Sequence, residues 1–110
     1  MKRLWIAGLL ALGLAAAPAG AETVTVEVKD YKYIPEKVTI HPGDTVRWVN
    51  KESRQYHSVW FKAEGGPKSE YFWPGESYER TFDEPGDYPY QCEPHGESHN
   101  MKGVVHVVEE

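Results

Sequence analysis

The sequence predicts an all-β fold, an antiparallel Greek-key sandwich or barrel of about seven short strands. Three features indicate this class. Short segments alternate apolar and polar side chains, as strands with one buried face do. Glycine and proline interrupt the chain at residues 42–43, 65–67, 74–75 and 85–86, which marks turns between the strands. No segment after residue 21 has a sustained helical period with capping residues.

The strands are predicted in order along the chain. Residues 23–29 place Val24, Val26 and Val28 on one face with polar residues between them, which is the period of a half-buried strand. Residues 45–49 follow the same alternation. The remaining strands are expected at residues 37–40, 58–62, 76–82, 87–92 and 103–108.

The first residues have the pattern of a cleavable export signal. Lys2 and Arg3 form a basic start, residues 4–17 form an apolar run, and small residues follow at 19–21. The apolar run is shorter than the roughly 18 to 20 residues that cross a bilayer. We therefore expect residues 1–21 to be removed and the mature protein to lie in the periplasm, without stable membrane insertion.

The remaining residues, 22–110, are expected to form one acidic domain and a monomer. The mature chain has 17 acidic residues against 10 basic ones, because Lys2 and Arg3 are removed, so its formal charge is −7. Negative charge excludes nucleic acid as a favoured partner and favours docking to a basic redox protein. A chain of this length leaves little room for an enclosed substrate pocket, which argues against an enzyme.

The donors of a soft metal site are concentrated near the carboxyl end. Cys92, His95, His99 and Met101 lie within ten residues, and they include the only Cys and the only Met besides the initiator. Thiolate and thioether ligands select for copper, and imidazole suits it as well. Since Cys92 has no disulfide partner, a bound metal would also protect its thiol in an oxidising compartment.

His57 is the best candidate for a further donor, because it lies between two predicted strands and would be held by the sheet. One remote His followed by a Cys, His and Met loop resembles the cupredoxins, the small blue copper proteins of the plastocyanin, pseudoazurin and amicyanin group. The resemblance covers nearly all of the mature chain. It is strongest in the segments VTIHPGDTV at residues 38–46, PGDYPYQCEPH at 85–95 and MKG at 101–103.

The resemblance implies one copper ion bound by His57, Cys92, His95 and Met101 in a Greek-key β-sandwich. It also implies a one-electron carrier that works with a redox protein such as a cytochrome, an oxidase or a reductase, and it implies no enzyme activity. The alternative is a periplasmic copper-binding protein for copper tolerance or copper delivery. Extra donors beside the loop would favour that alternative.

Two positions differ from the family pattern. Plastocyanin-like loops usually have four residues between the second His and the Met, whereas five lie between His95 and Met101. His99 therefore remains open as the axial ligand. Many relatives also carry Asn directly after the first His, and Ser58 occupies that position here.

Overall fold

Seven β-strands form two sheets that share one core. The computed structural model describes residues 21–93 and 95–109. Its strands are β1 (Thr23–Lys29), β2 (Lys32–Ile34), β3 (Lys37–Ile40), β4 (Asp44–Asn50), β5 (Ser77–Phe82), β6 (Gly86–Gln91) and β7 (Lys102–Val107). The first sheet has the order β2-β1-β4-β5 and the second β3-β7-β6. Pairs β1–β4 and β3–β7 are parallel and the others antiparallel. The predicted all-β sandwich is confirmed.

The amino end of β1 is fixed to the start of β4. The amide of Glu22 donates to Oδ1 of Asp44 over 2.9 Å, and the amide of His41 donates to Oδ2 over 3.0 Å. The carbonyl of Glu22 accepts from the amide of Thr45 over 2.8 Å. Asp44 is buried, so its carboxylate depends on these donors in place of water.

The predicted export signal cannot be compared with the fold. Residues 1–20 lie outside the described part of the chain, so cleavage before Glu22 stays a prediction. Among the described residues, no helix combines the length and the apolar character needed to cross a membrane.

The core is built from the inward faces of both sheets. The strand β1 buries Val26 and Val28 while its alternate residues stay exposed, as its period predicts. Trp48 is fully buried at the centre, where its ring meets the rings of Phe61 and Tyr90 edge-on. Such edge contacts between large buried rings are favourable beyond the area they cover. They join β4 to β6 and to the segment that carries Phe61.

The predicted strand at residues 58–62 is wrong. Trp60 pairs with Lys68 and with Gln91 only through isolated bridges, and the chain then turns into a short 3-10 helix, Lys62–Glu64. Gly65 ends this helix in the left-handed conformation, which glycine adopts without strain. The segment hydrogen-bonds to the last residue of β6 and to the loop at residues 67–69, and it does not pair along the length of one strand.

Two small elements were not predicted from the sequence. The strand β2 follows a two-residue turn in which Asp30 and Tyr31 both have positive φ, of 57° and 59°. Such turns usually contain Asn or Gly. The second element is a single helical turn, α1 (His95–Ser98), which is too short to show a period.

Candidate metal centre

Three of the predicted ligands lie together at one end of the sandwich. The donor atoms of His57, Cys92 and His95 all lie within 4.8 Å of one another. The Cys92 sulfur is 3.8 Å from Nδ1 of His57 and 3.5 Å from Nδ1 of His95. His57 and Cys92 are fully buried, whereas His95 is partly exposed. Sulfur and two imidazole nitrogens thus converge on a space large enough for one metal ion.

His57 is held both through its backbone and through its ring. Its backbone exchanges two hydrogen bonds with Phe72, 3.2 Å and 2.9 Å long, which form an isolated antiparallel bridge. Its Nε2 lies 2.9 Å from Oε2 of Glu52. A carboxylate only accepts, so Nε2 carries the proton and Nδ1 keeps a free lone pair facing Cys92.

Glu52, which contacts the His57 ring, was not selected in the sequence analysis. Its own amide donates to Oδ1 of Asn50 over 2.8 Å, and its Oε2 accepts from the amide of Asp30 over 2.8 Å. These contacts fix the carboxylate that orients His57. Outer carboxylates of this kind set the tautomer and basicity of a metal-binding imidazole. A Glu five residues before a candidate His was the only available signal.

Ser58 links the two segments that carry the buried donors. Its amide donates to the Cys92 sulfur over 3.3 Å, and its hydroxyl accepts from the amide of Glu93 over 2.8 Å. Its carbonyl accepts from the hydroxyl of Tyr33 over 2.7 Å. Ser58 therefore joins the segment that carries His57 to the segment that carries Cys92, although many relatives have Asn at this position.

Without a metal, the local environment disfavours the charged forms of Cys92 and His95. Burial raises the pKa of the Cys92 thiol, although the amides of Ser58 and His95 oppose that shift. Burial, followed by the charge of neighbouring His57, lowers the pKa of His95. A thiolate at this place therefore needs a cation beside it, and a thiophilic metal ion supplies one.

The loop from Cys92 to Met101 closes on itself. The amide of Cys92 donates to the carbonyl of Met101 over 3.1 Å, and the amide of Met101 donates to the carbonyl of His95 over 3.3 Å. Gly96 donates to the carbonyl of Cys92 over 2.6 Å. The Met101 side chain is fully buried beneath the loop, with 0% exposure.

His99 is placed differently from Met101. It is exposed, its Nδ1 lies 2.9 Å from the Ser98 hydroxyl, and its ring stacks on Tyr31. The ring of Tyr31 also meets the ring of His95 edge-on, with 4.9 Å between centroids. No sequence pattern indicated that Tyr31 would lie here.

The family model for copper binding proteins of the plastocyanin/azurin family matches residues 21–108. The chain belongs to this family, the cupredoxins. Its relatives among characterised proteins include an amicyanin of Paracoccus versutus, 40% identical over 74% of this chain and 64% of the amicyanin. A plastocyanin of Synechococcus sp. (strain JA-2-3B'a(2-13)) is 34% identical over 82% of this chain and 77% of its own length. The chain therefore spans just under two thirds of the Paracoccus versutus amicyanin.

Solved structures place this cupredoxin among the same proteins. An oxidised amicyanin variant superposes with a TM-score of 0.70 at 32% identity, covering 77% of this chain and 81% of the amicyanin. A Sinorhizobium pseudoazurin superposes with a TM-score of 0.65 at 28% identity, covering 80% of this chain and 75% of the pseudoazurin. A copper-containing nitrite reductase from Thermus scotoductus SA-01 superposes with a TM-score of 0.71 at 29% identity, covering 80% of this chain but only 23% of the reductase.

Copper, the metal of the family, fits the donors of this cupredoxin. Two imidazole nitrogens and one sulfur converge without any carboxylate among them, which is the donor set that favours copper over magnesium or calcium. The assignment of individual ligands stays a prediction.

Proposed function

We propose that this cupredoxin is a periplasmic one-electron carrier that binds one copper ion through His57, Cys92 and His95, with Met101 as the weak axial ligand. The convergence of two imidazoles and one buried thiol supports this function most directly. Its partners are redox proteins such as a cytochrome, an oxidase or a reductase. With Met101 as the fourth donor, the proposed site would lack the open coordination position that a copper enzyme needs.

Copper supplies a one-electron couple between Cu(I) and Cu(II), and the protein's contribution is to hold the donors still. Glu52 fixes the ring of His57, and Ser58 ties Cys92 to the same segment. Burial keeps water away from the sulfur. Ligands held this firmly move little when the charge changes, which keeps the reorganisation energy of electron transfer low.

Met101 is preferred to His99 as the axial ligand on grounds of burial. The Met101 side chain is fully buried under the loop, whereas His99 faces solvent and is stacked on Tyr31. The His99 ring is already engaged by Tyr31 and, through Nδ1, by the Ser98 hydroxyl, so binding to the metal would compete with these contacts. A long bond to a thioether also suits a site that must accept both Cu(I) and Cu(II).

A titration of the purified protein with Cu(II) tests this proposal. We expect an intense thiolate-to-copper absorption band and a matching paramagnetic resonance spectrum, both saturating at one equivalent. The variant Met101→Ala alters the spectra, whereas the matched variant His99→Ala leaves them unchanged. The reverse pattern in the two variants would transfer the axial role to His99.

A copper-handling role is the second candidate, and one observation supports it. The rings of His95 and His99 lie 5.5 Å apart at the loop surface, close enough for a second, loosely held ion. Binding of more than one copper per chain, with the excess lost in His99→Ala, would favour copper tolerance or delivery. One copper per chain and a reversible redox couple favour the electron carrier.

A further inference from the structure

Tyr33 is a buried tyrosine beside the candidate metal centre that takes no part in the proposed ligand set. It belongs to β2 and is 3% exposed. Its ring meets the ring of Tyr90 edge-on, with 4.6 Å between centroids. Its hydroxyl donates to the carbonyl of Ser58 over 2.7 Å. A buried phenol needs a partner for its hydroxyl, and here the partner belongs to the residue that contacts the Cys92 sulfur.

The backbone of Ser58 contacts the metal centre through its amide and Tyr33 through its carbonyl. The amide donates to the Cys92 sulfur over 3.3 Å, and the carbonyl accepts from the Tyr33 hydroxyl. Ser58 and Cys92 are both fully buried, so water is not at hand to replace either bond. A buried carbonyl that loses its donor is costly. The bond from Tyr33 therefore helps to decide where the Ser58 amide lies relative to the sulfur.

The phenol of Tyr33 keeps its proton. Burial, followed by the charge of Cys92, raises the pKa of Tyr33 well above its usual value. A neutral phenol can donate a hydrogen bond, and a carbonyl can only accept one, so the direction of the bond to Ser58 is fixed. Burial also raises the pKa of the Cys92 thiol, and the Tyr33 hydroxyl is one of the groups that oppose this rise. The hydroxyl thus favours negative charge on the sulfur.

A hydrogen bond to the sulfur bears on the redox couple. It draws electron density away from a metal-bound thiolate, which then donates less to Cu(II). Cu(I) depends less on that donation, so the reduced state gains in relative stability and the reduction potential rises. Hydrogen bonding around the Cys sulfur is one of the features that tune the potential of a site with this donor set. Because such bonds weaken steeply with distance and angle, a group that fixes Ser58 also affects the potential.

We propose that Tyr33 is a positioning residue that raises the reduction potential of the copper site by holding the Ser58 amide against the Cys92 sulfur. This inference rests on the proposed carrier function. In the couple, one electron from a redox protein converts Cu(II) to Cu(I), and the phenol proton stays on Tyr33. The hydroxyl shifts the equilibrium and does not enter the reaction.

The variant Tyr33→Phe tests this role, because it removes the hydroxyl and keeps the ring that packs on Tyr90. In the copper-loaded protein we expect the ratio of Cu(I) to Cu(II) at a fixed ambient potential to fall several-fold. The thiolate-to-copper absorption band should move to longer wavelength. A spectroelectrochemical titration measures both quantities.

The matched control is Tyr88→Phe. The hydroxyl of Tyr88 also donates to a backbone carbonyl over 2.7 Å, but the acceptor is Glu84, which is not part of the metal centre. This variant loses a bond of the same kind and length, so it should leave the potential and the absorption band unchanged. An equal shift in both variants would overturn the proposal.

A second measurement follows the Ser58 amide without copper. In NMR spectra of the apoprotein we expect the Ser58 amide proton of Tyr33→Phe to move upfield, because its bond to the sulfur lengthens. Urea unfolding of the same apoprotein measures the purely structural effect of the lost hydroxyl. A lower urea midpoint with wild-type amide shift, potential and absorption band would make Tyr33 a structural residue and overturn the proposal, while the carrier function would stand. A wild-type protein without a thiolate-to-copper band or a reversible couple would overturn the carrier function itself.

Discussion

The ring of Tyr31 lies parallel to the ring of His99, with 3.8 Å between centroids and 4° between planes. Tyr31 reaches this place from a tight turn in which its φ is 59°, a conformation that costs a bulky residue free energy. Its hydroxyl accepts a hydrogen bond of 2.9 Å from Gln55. A strained residue thus joins the β1–β2 turn to the predicted ligand loop, and His95 packs against the same ring.

We expect Tyr31→Ala to loosen the predicted ligand loop. Without the ring, His95 and His99 lose their shared packing surface, so copper should dissociate several-fold faster from the holoprotein. Tyr31→Phe keeps the ring and removes only the hydrogen bond from Gln55, and it should behave nearly as the wild type. Both rates can be followed by loss of the visible band in excess chelator. Equal rates in the wild type and Tyr31→Ala would contradict this role.

We expect Glu52→Gln to weaken copper binding about 10- to 100-fold, the usual cost of losing an outer-shell carboxylate. The amide side chain no longer forces the proton onto Nε2 of His57, and it makes the imidazole less basic. Competition with a chelator of known affinity measures the change. The control is Glu79→Gln, because Glu79 pairs with Arg47 on the exposed face of the sheet. Similar affinities in both variants would remove Glu52 from the metal centre.

We expect Asp44 to make the stability of the apoprotein depend on pH in the acid range. Hydrogen bonds from the amides of Glu22 and then His41 hold its pKa below the usual value. A lowered pKa adds stability above the unfolded value of about 3.9, and that stability is lost as the pH falls through the lower folded value. The free energy of unfolding in urea should therefore fall below about pH 4.

The variant Asp44→Asn separates this effect from general acid unfolding. It should destabilise the protein at pH 7 by about 1 to 3 kcal/mol and flatten the decline at low pH. Asp83→Asn is the control, since Asp83 is exposed and its substitution should change neither quantity. A decline at low pH that is as steep in Asp44→Asn as in the wild type would assign the effect to other carboxylates.

We expect Gly96→Ala to displace the first turn of the predicted ligand loop. An added Cβ would lie 2.5 Å from Nε2, 2.8 Å from Cδ and 2.9 Å from Cβ of Gln91. Thermal unfolding should show a loss of about 1 to 3 kcal/mol, the usual cost of overpacking. Adding Gln91→Ala removes two of the three close contacts and should restore part of the loss. No recovery would indicate that the backbone of the loop, and not this side chain, sets the requirement for glycine.

The sequence was most informative where chemistry is local. Cys92, His95 and Met101 lie in one short loop, and their donor types suggested a metal site before any fold was known. The alternation of β1 likewise predicted its buried face, and Val26 and Val28 are buried as expected. Both signals are carried by residues close together in the chain.

Features that depend on distant segments were not predictable. Glu52 and Tyr31 reach the metal centre only because β4 and the β1–β2 turn end beside it, and neither has a motif of its own. The segment at residues 58–62 has the composition of a strand, yet its hydrogen bonds are divided between the last residue of β6 and the loop at residues 67–69. Periodicity reports which residues are buried, but it does not report which backbone lies beside them.

The bond between Glu22 and Asp44 would give export processing a structural consequence. If the signal is removed before Glu22, the nitrogen that now donates to Asp44 as an amide becomes the positively charged amino terminus of the mature chain. Maturation would then complete a partly buried ion pair that the precursor lacks. We expect the chain that begins at Glu22 to unfold at a higher urea concentration than one that retains Ala21. Equal midpoints would show that folding is indifferent to processing.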